Sequence, residues 1–315
     1  MPGQTVRRIA SEFCQLGGAE LILTGGEPLT HPDWKSILDH CRNALDFRTV
    51  TLQTNATRIG GSEAEVLASP GRISLRIQVS LEGASAETND RLRGPGAFHR
   101  AMAGLAALCD AGLGPKTTVA LTETDLNVGE IPDLMVRLEA MGVGGLVTGT
   151  LVKGGRARSA GGLRLPSADQ YRELVRRYET DGDFRARYHR MATISALEWH
   201  LGMGASVAPG CRCIETPYID GDGRCHPCGL LQHPDYAVPG SHVRPLTEIF
   251  GAGLPIWEKL PEISRRRAVE LAQCQGCPGH DHCGGGCAGR ALSAHGVLMA
   301  VEDRCHLRRA VYEGA

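Results

Sequence analysis

Nine of the twelve cysteines in this 315-residue chain fall between Cys211 and Cys305, and only Cys14, Cys41 and Cys109 lie before them. No other feature restricts the fold as much. The N-terminus "MPGQTVRRIA" has no apolar signal-like run, and no stretch approaches the ~18 consecutive apolar residues of a membrane-spanning helix. The chain is therefore expected in the cytoplasm, where thiols stay reduced and clustered cysteines bind metal more often than they pair as disulfides. A change of task is expected near residue 205, giving a domain over 1–205 and a cysteine-rich domain over 206–315.

The 34 Lys and Arg nearly balance the 35 Asp and Glu, so no global field points to nucleic acid or a membrane as partner. A small or peptide ligand fits better. The first two thirds alternate apolar strand-like runs with helical periods, the pattern of repeated βα units on a parallel sheet. Near Val6 to Leu16, a helix places Val6, Ile9, Ala10 and Phe13 on one face, and Gly17-Gly18 ends it. Strands are expected at "ELILTGG", "RTVTLQTN", "ISLRIQVSL", "KTTVALTE" and "GLVTGTLV". Cys41 follows Trp34, Ile37 and Leu38 at helical spacing, and Cys109 follows Met102, Leu105 and Ala106, so both read as core residues rather than ligands. Within Ile73 to Leu81, apolar Ile73, Leu75, Ile77 and Val79 alternate with Ser74, Arg76, Gln78 and Ser80. In a βα barrel the apolar side faces the helices, which leaves a polar, ligand-lined lumen; Thr51, Gln53 and Asn55 repeat the pattern. "LVKGGRARSAGGLRLPSADQ" reads as an exposed or substrate-facing crossover before a helix capped by Ser167.

The run "LILTGGEPLTHPDW" ends a strand on two glycines, an acid and a proline, at the edge where parallel α/β folds gather their active groups. It can be read as a tight turn shaped by Pro28 and Pro32, or as a backbone cradle, since two glycines let main-chain groups approach a ligand. Here the sequence resembles the radical S-adenosylmethionine (SAM) enzymes, whose second strand ends in a GGEP motif that holds the amino group of the methionine moiety. The resemblance assigns this role to Gly25, Gly26, Glu27 and Pro28. "LQTNA" and "QVSLEGASAETNDRLRG" are similar to the family's next two strand ends, which implies that Asn55 and Ser80 line the SAM pocket.

The C-terminal third reads "CRCIETPYIDGDGRCHPC", then "CQGCPGHDHCGGGC", then "DRC". Cys213, nine residues, Gly223, four residues and Cys228 form one half; Cys274, Cys277, Cys283 and Cys287, spaced C-x2-C-x5-C-x3-C, and Cys305 form the other. This resembles the SPASM domain, which binds two auxiliary 4Fe-4S clusters, each needing four soft thiolates. The family's interleaved pattern implies one cluster on Cys274, Cys277, Cys283 and Cys305. The second would take Cys228, Cys287 and two of Cys211, Cys213 and Cys225; Cys211 with Cys213 is preferred, because Cys225 sits in a short strand where a small apolar residue would pack. Structural zinc, with His226, His280 or His282 completing tetrahedral sites, is the alternative.

The combined resemblance implies an α/β fold: a partial (β/α)6 TIM-like barrel missing its first strand, plus a small cysteine-rich iron-sulfur domain. It also implies a CxxxCxxC motif before GGEP for the SAM-cleaving cluster, and the 24 residues before Gly25 hold only Cys14. The expectation is an N-terminally incomplete chain, with a cluster-less relative as the competing explanation; a third 4Fe-4S cluster is expected only if the upstream segment is present. The chain as given is expected not to cleave SAM. For the complete protein the resemblance implies radical modification of a ribosomally made peptide or small protein, with an electron donor protein as partner. Tetrapyrrole chemistry of the haem pathway and a non-catalytic iron-sulfur protein are the alternatives. Gly229, directly after Cys228, departs from the acidic residue of the sulfatase-maturing branch.

Overall fold

The computed structural model describes residues 1–152, 162–202, 211 and 213–314. Residues 153–161 of the Gly- and Arg-rich crossover and the expected domain junction near residue 205 lie outside the described residues. Six strands form one sheet in chain order: β1 (Glu20–Leu23), β2 (Thr49–Thr54), β3 (Ser74–Ser80), β4 (Thr117–Glu123), β5 (Gly145–Thr150) and β6 (Ala192–Thr193). The pairs β1 with β2, β2 with β3 and β3 with β4 are parallel. This is the expected partial barrel architecture. The two-residue β6 was not expected, because two residues carry no periodicity.

The helix α1 (Gly3–Gln15) precedes β1, and between the strands run α2 (Trp34–Asp39), α3 (Gly61–Ala68), α4 (Ala86–Arg93), α5 (Ala97–Asp110) and α6 (Ile131–Ala140). Strand alternation sorts the faces. Leu75, Ile77 and Val79 of β3 are buried with Val50 and Leu52 of β2, each such side chain contributing roughly 1.5–3 kcal/mol by leaving water. On the opposite face, Thr51 pairs with Arg76 and Gln53 with Gln78, and the Gln53 amide donates to Gln78 Oε1 at 2.5 Å. Phe13 of α1 stacks on Phe47 at 6.2 Å between ring centroids. Cys41 is fully buried, as expected of a core residue, whereas Cys109 is half-buried.

The chain divides into two compact units: Met1–Thr122, Gly129–Gly149 and Arg187–Ala192 in one, and Glu123–Val128, Thr150–Ala186 and Thr193–Ala315 in the other. In the second unit, α7 (Ala168–Thr180) begins with Ser167 and Gln170 exchanging side-chain-to-backbone hydrogen bonds. The unit also holds α9 (Ser195–His200), a hairpin of β7 (Tyr218–Ile219) and β8 (Cys225–His226), and the helices α10 (Leu246–Trp257), α11 (Leu260–Glu270), α12 (His280–Cys283), α13 (Ala288–His295) and α14 (Cys305–Glu313); α8 (Gly182–Met191) lies before β6. One core of this unit gathers Cys213, Cys225, Leu231, Val238, Ile249, Trp257 and Leu260. The Trp257 indole N–H donates to the Tyr236 carbonyl at 2.8 Å, so the large ring is buried without an orphaned donor. Among the described residues, no helix is long and apolar enough to cross a membrane.

Candidate functional sites

The register brings the ends of β1, β2 and β3 to one edge, so Gly25, Asn55 and Ser80 emerge from neighbouring strands. Glu27 organises this edge. Its Oε1 accepts from Thr54 Oγ1 at 2.7 Å and from Leu29 N at 3.2 Å, and its Oε2 accepts from Asn55 N at 2.7 Å. The carboxylate thus ties the end of β1 to the end of β2 while capping the short turn Pro28–Thr30, where Pro28 supplies the fixed φ of a first helical position. Gly25 and Gly26 remain as exposed backbone, and a Cβ on either would meet nothing within 4 Å. Gly25 has φ +151°, a conformation that side-chain-bearing residues rarely adopt. Asn55 Oδ1 accepts from the Thr57 N–H and hydroxyl at 2.9 and 2.7 Å, which fixes that loop. Ser80 is half-buried at the end of β3, opposite Ala120.

In the cysteine-rich unit, Cys274, Cys277, Cys283 and Cys305 line a single cavity, together with Glu302, Arg308 and Tyr312. Burial, and then the charges of Cys283 and Cys277, push the Cys274 thiol up; burial, and then Cys283, Cys274 and Cys277, do the same to Cys305. Cys211, Cys213, Cys228 and Cys287 form a second set of mutual neighbours. A thiol hydrogen bond from Cys213 lowers Cys211 to about 6, and the same bond pushes Cys213 up. Burial raises Cys228 and Cys287, and each feels Cys211. Cys225 stands apart: it is fully buried in β8, its N–H and carbonyl both pair with Val238 at 2.8 Å, and burial raises its thiol to about 12. Among the described residues, no three His, Cys, Asp or Glu side chains are gathered tightly enough for one metal ion.

Thiols raised by burial and by one another ionise readily only beside a compensating positive charge, which a metal group supplies. The turn that carries Cys283 and Cys287 is closely packed. Gly285 (φ +80°) and Gly286 (φ +72°) both take left-handed backbone, and an added Cβ would lie 2.6 Å from Ala268 N and 2.8 Å from Glu302 Cδ, respectively. Arg267, fully buried, donates to the Gly285 carbonyl at 2.9 Å and clamps this turn to α11.

Sequence reasoning missed a set of buried charges around these thiols. Glu302, 4% exposed, accepts from Cys287 N at 2.8 Å and pairs with Arg304 at 2.9 Å and Arg308 at 3.2 Å. Burial alone would raise its carboxyl, but the guanidinium groups of Arg308 and Arg304 outweigh that and hold it down to about 2. Both guanidinium groups lie over the Trp199 ring, at 4.8 and 5.6 Å. Trp199 meets Tyr171 edge to face at 5.6 Å, and the Tyr171 hydroxyl donates to the buried Glu123 carboxylate. Arg290, 2% exposed, pairs with Asp303 at 2.8 Å and donates to the Leu151 carbonyl at 2.5 Å. The available signal was the density of opposite charges flanking the last cysteine in "VEDRCHLRR".

The model of the Radical SAM superfamily matches residues 1–137, the part of the chain that holds the strand-end site. The resemblance read from the strand ends is thereby borne out over this segment. An AdoMet-dependent heme synthase from Oleidesulfovibrio alaskensis is 28% identical over 322 residues, covering 96% of this chain and 78% of that protein. Mycofactocin maturase MftC from Mycobacterium ulcerans is 28% identical over 270 residues, covering 84% of this chain and 68% of the relative. Among solved structures, native anSMEcpe with bound AdoMet and Kp18Cys peptide superposes with a TM-score of 0.74 at 14% identity, over 100% of this chain and 88% of the other, which shows a shared fold.

Proposed function

We propose that the protein uses SAM in the radical modification of a ribosomally made peptide or small protein, working in the cytoplasm with an electron donor protein. SAM would bind at the strand ends, and a SPASM domain would carry two auxiliary 4Fe-4S clusters. One observation carries the reading: Glu27 is consumed in joining two strand ends, and that junction presents Gly25 and Gly26 as bare backbone at an open edge. Main-chain groups without a Cβ can reach the amino group of a methionine moiety. The Ser80 hydroxyl and the Asn55 turn on the next strands would supply further polar partners.

The four thiols walling one cavity suit a group with volume of its own, a four-iron cluster, better than a single tetrahedral ion. Cys274, Cys277, Cys283 and Cys305 would hold one cluster and Cys211, Cys213, Cys228 and Cys287 the other. When bound, such clusters supply one-electron transfer; the chain's part is to exclude water, fix the thiolates and balance their charge. A third 4Fe-4S cluster needs a CxxxCxxC motif, which these 315 residues do not contain.

A relative named as a maturase and a fold neighbour with a bound peptide support the peptide substrate. A tetrapyrrole substrate is the second reading, favoured by the wider reach of the heme synthase match, 96% of the chain against 84%. Equilibrium dialysis of the iron-reconstituted protein with labelled SAM tests the core of the proposal, with SAM retained by the native chain and lost with Gly26→Val. Iron binding without SAM retention would leave an iron-sulfur electron-transfer protein instead. Titration with a carboxylated porphyrin and, in parallel, a precursor peptide encoded beside the gene then separates the substrates; binding of the porphyrin alone would overturn the peptide reading.

A further inference from the structure

We infer that Arg308 sets the reduction potential of the cluster site formed by Cys274, Cys277, Cys283 and Cys305. Its Nη1 donates to Cys283 Sγ at 3.0 Å. The residue is 8% exposed, so solvent screens the contact weakly, and a hydrogen bond to a charged partner in such a site is stronger than one in water. The guanidinium is held by two contacts independent of the thiol: Nε lies 3.2 Å from Glu302 Oε1, and the group sits 4.8 Å above the Trp199 ring centre. It is thus aimed at the sulfur by contacts that do not involve the thiol.

Hydrogen bonds to cluster sulfurs and nearby charge are among the levers that set iron-sulfur potentials. One electron taken from dithionite in the experiment below would reduce cluster iron, so the cluster and its thiolates would together carry one more negative charge, with no bond broken and no proton moved. The guanidinium stabilises that added charge and favours the reduced form. Arg308 is a positioning and tuning residue, distinct from the ligands. At the second thiol set, Glu302 instead accepts from the Cys287 N–H.

The inference rests on the reading that these four thiols share one cluster, and the test separates the two. Iron content and visible absorbance of Cys283→Ala report on the cluster itself; undiminished iron there would sink the cluster reading. Potentiometric titration followed by electron paramagnetic resonance, on native protein, Arg308→Gln and Arg308→Lys, reports on tuning. With iron content intact, Arg308→Gln should shift the reduction equilibrium of one cluster about tenfold toward the oxidised form, ~59 mV for a one-electron couple, and leave the other unmoved. Arg308→Lys, which keeps the charge and loses the planar fork, should shift it less. Native potentials in both variants would overturn the inference, as would an equal shift of both clusters. If Arg308→Gln loses iron, Arg308→Lys decides alone, and a native potential there would overturn it.

Discussion

The strand-end site and the cysteine-rich unit solve opposite problems. At the strand ends, the chain removes side chains: Gly25 and Gly26 are bare, and the one carboxylate present is satisfied by three donors of its own chain. Around the thiols the chain adds buried charge, with Glu302, Arg308, Arg290 and Arg267 in the interior and Arg304 half-buried beside Glu302. A site made of backbone is complete before its ligand arrives. One made of buried thiols and ions is not, because burial raises the thiols until a metal group offsets their charge. Losing the ligand should therefore unsettle the second region far more than the first.

The largest expected effect is on metal content. Anaerobic reconstitution should give about eight iron atoms per chain and broad absorbance near ~400 nm, and Cys277→Ala or Cys283→Ala should remove about four of them. Stoichiometric zinc without iron under the same conditions would break the comparison at its root. Next comes Glu302→Ala, which leaves the buried Arg308 guanidinium and the half-buried Arg304 guanidinium without their carboxylate. Removing one member of such a network costs about 3–5 kcal/mol, read as a fall in the denaturant midpoint of the cysteine-rich unit. SAM retention at the strand ends should not change, and a loss there would show that the two regions are not separable.

How far these two regions could be read from sequence differs for the same physical reason. Glycines and strand alternation are local patterns, so the strand ends from β1 to β5, the buried face of β3 and the cap at Ser167 are visible without coordinates, whereas the division of the thiols into two groups follows only from the resemblance to the SPASM pattern. The role of Glu27 was only half legible: the motif marks it, but that its carboxylate binds Thr54 and Asn55 depends on the register of two strands. Buried arginines were illegible. Arg290 and Arg308 look like surface residues of amphipathic helices, and only long-range partners such as Leu151 and Cys283 reveal otherwise. The short β6 has too few residues to show a period.

A smaller effect is expected at the strand ends. Gly26→Val adds a side chain where none meets protein, so folding and iron content should stay near native. SAM affinity should fall by at least ~10-fold, about 1.4 kcal/mol, because the branched side chain occupies the approach to the bare backbone. Unchanged affinity would remove the cradle from the comparison and leave the GGEP turn as a turn.

The smallest effect is expected at Cys225, and it sharpens the ligand assignment most. Cys225 is fully buried, bonded through its backbone to Val238 on both sides, and raised to about 12 by burial, whereas Cys211 and Cys213 share a thiol hydrogen bond beside Cys228 and Cys287. Burial raises Cys213 as well, so neighbourhood separates the two: Cys213 lies among thiols that a cluster could share, whereas the charge acting on Cys225 is that of Asp220. Cys225→Ala deletes one small buried atom, so stability should drop by only about 1 kcal/mol, and iron should remain near about eight per chain. The same substitution at Cys213 should halve the iron. If the two variants exchange these outcomes, Cys225 is a ligand and Cys213 is not, and β8 must open for the Cys225 thiol to reach the cluster.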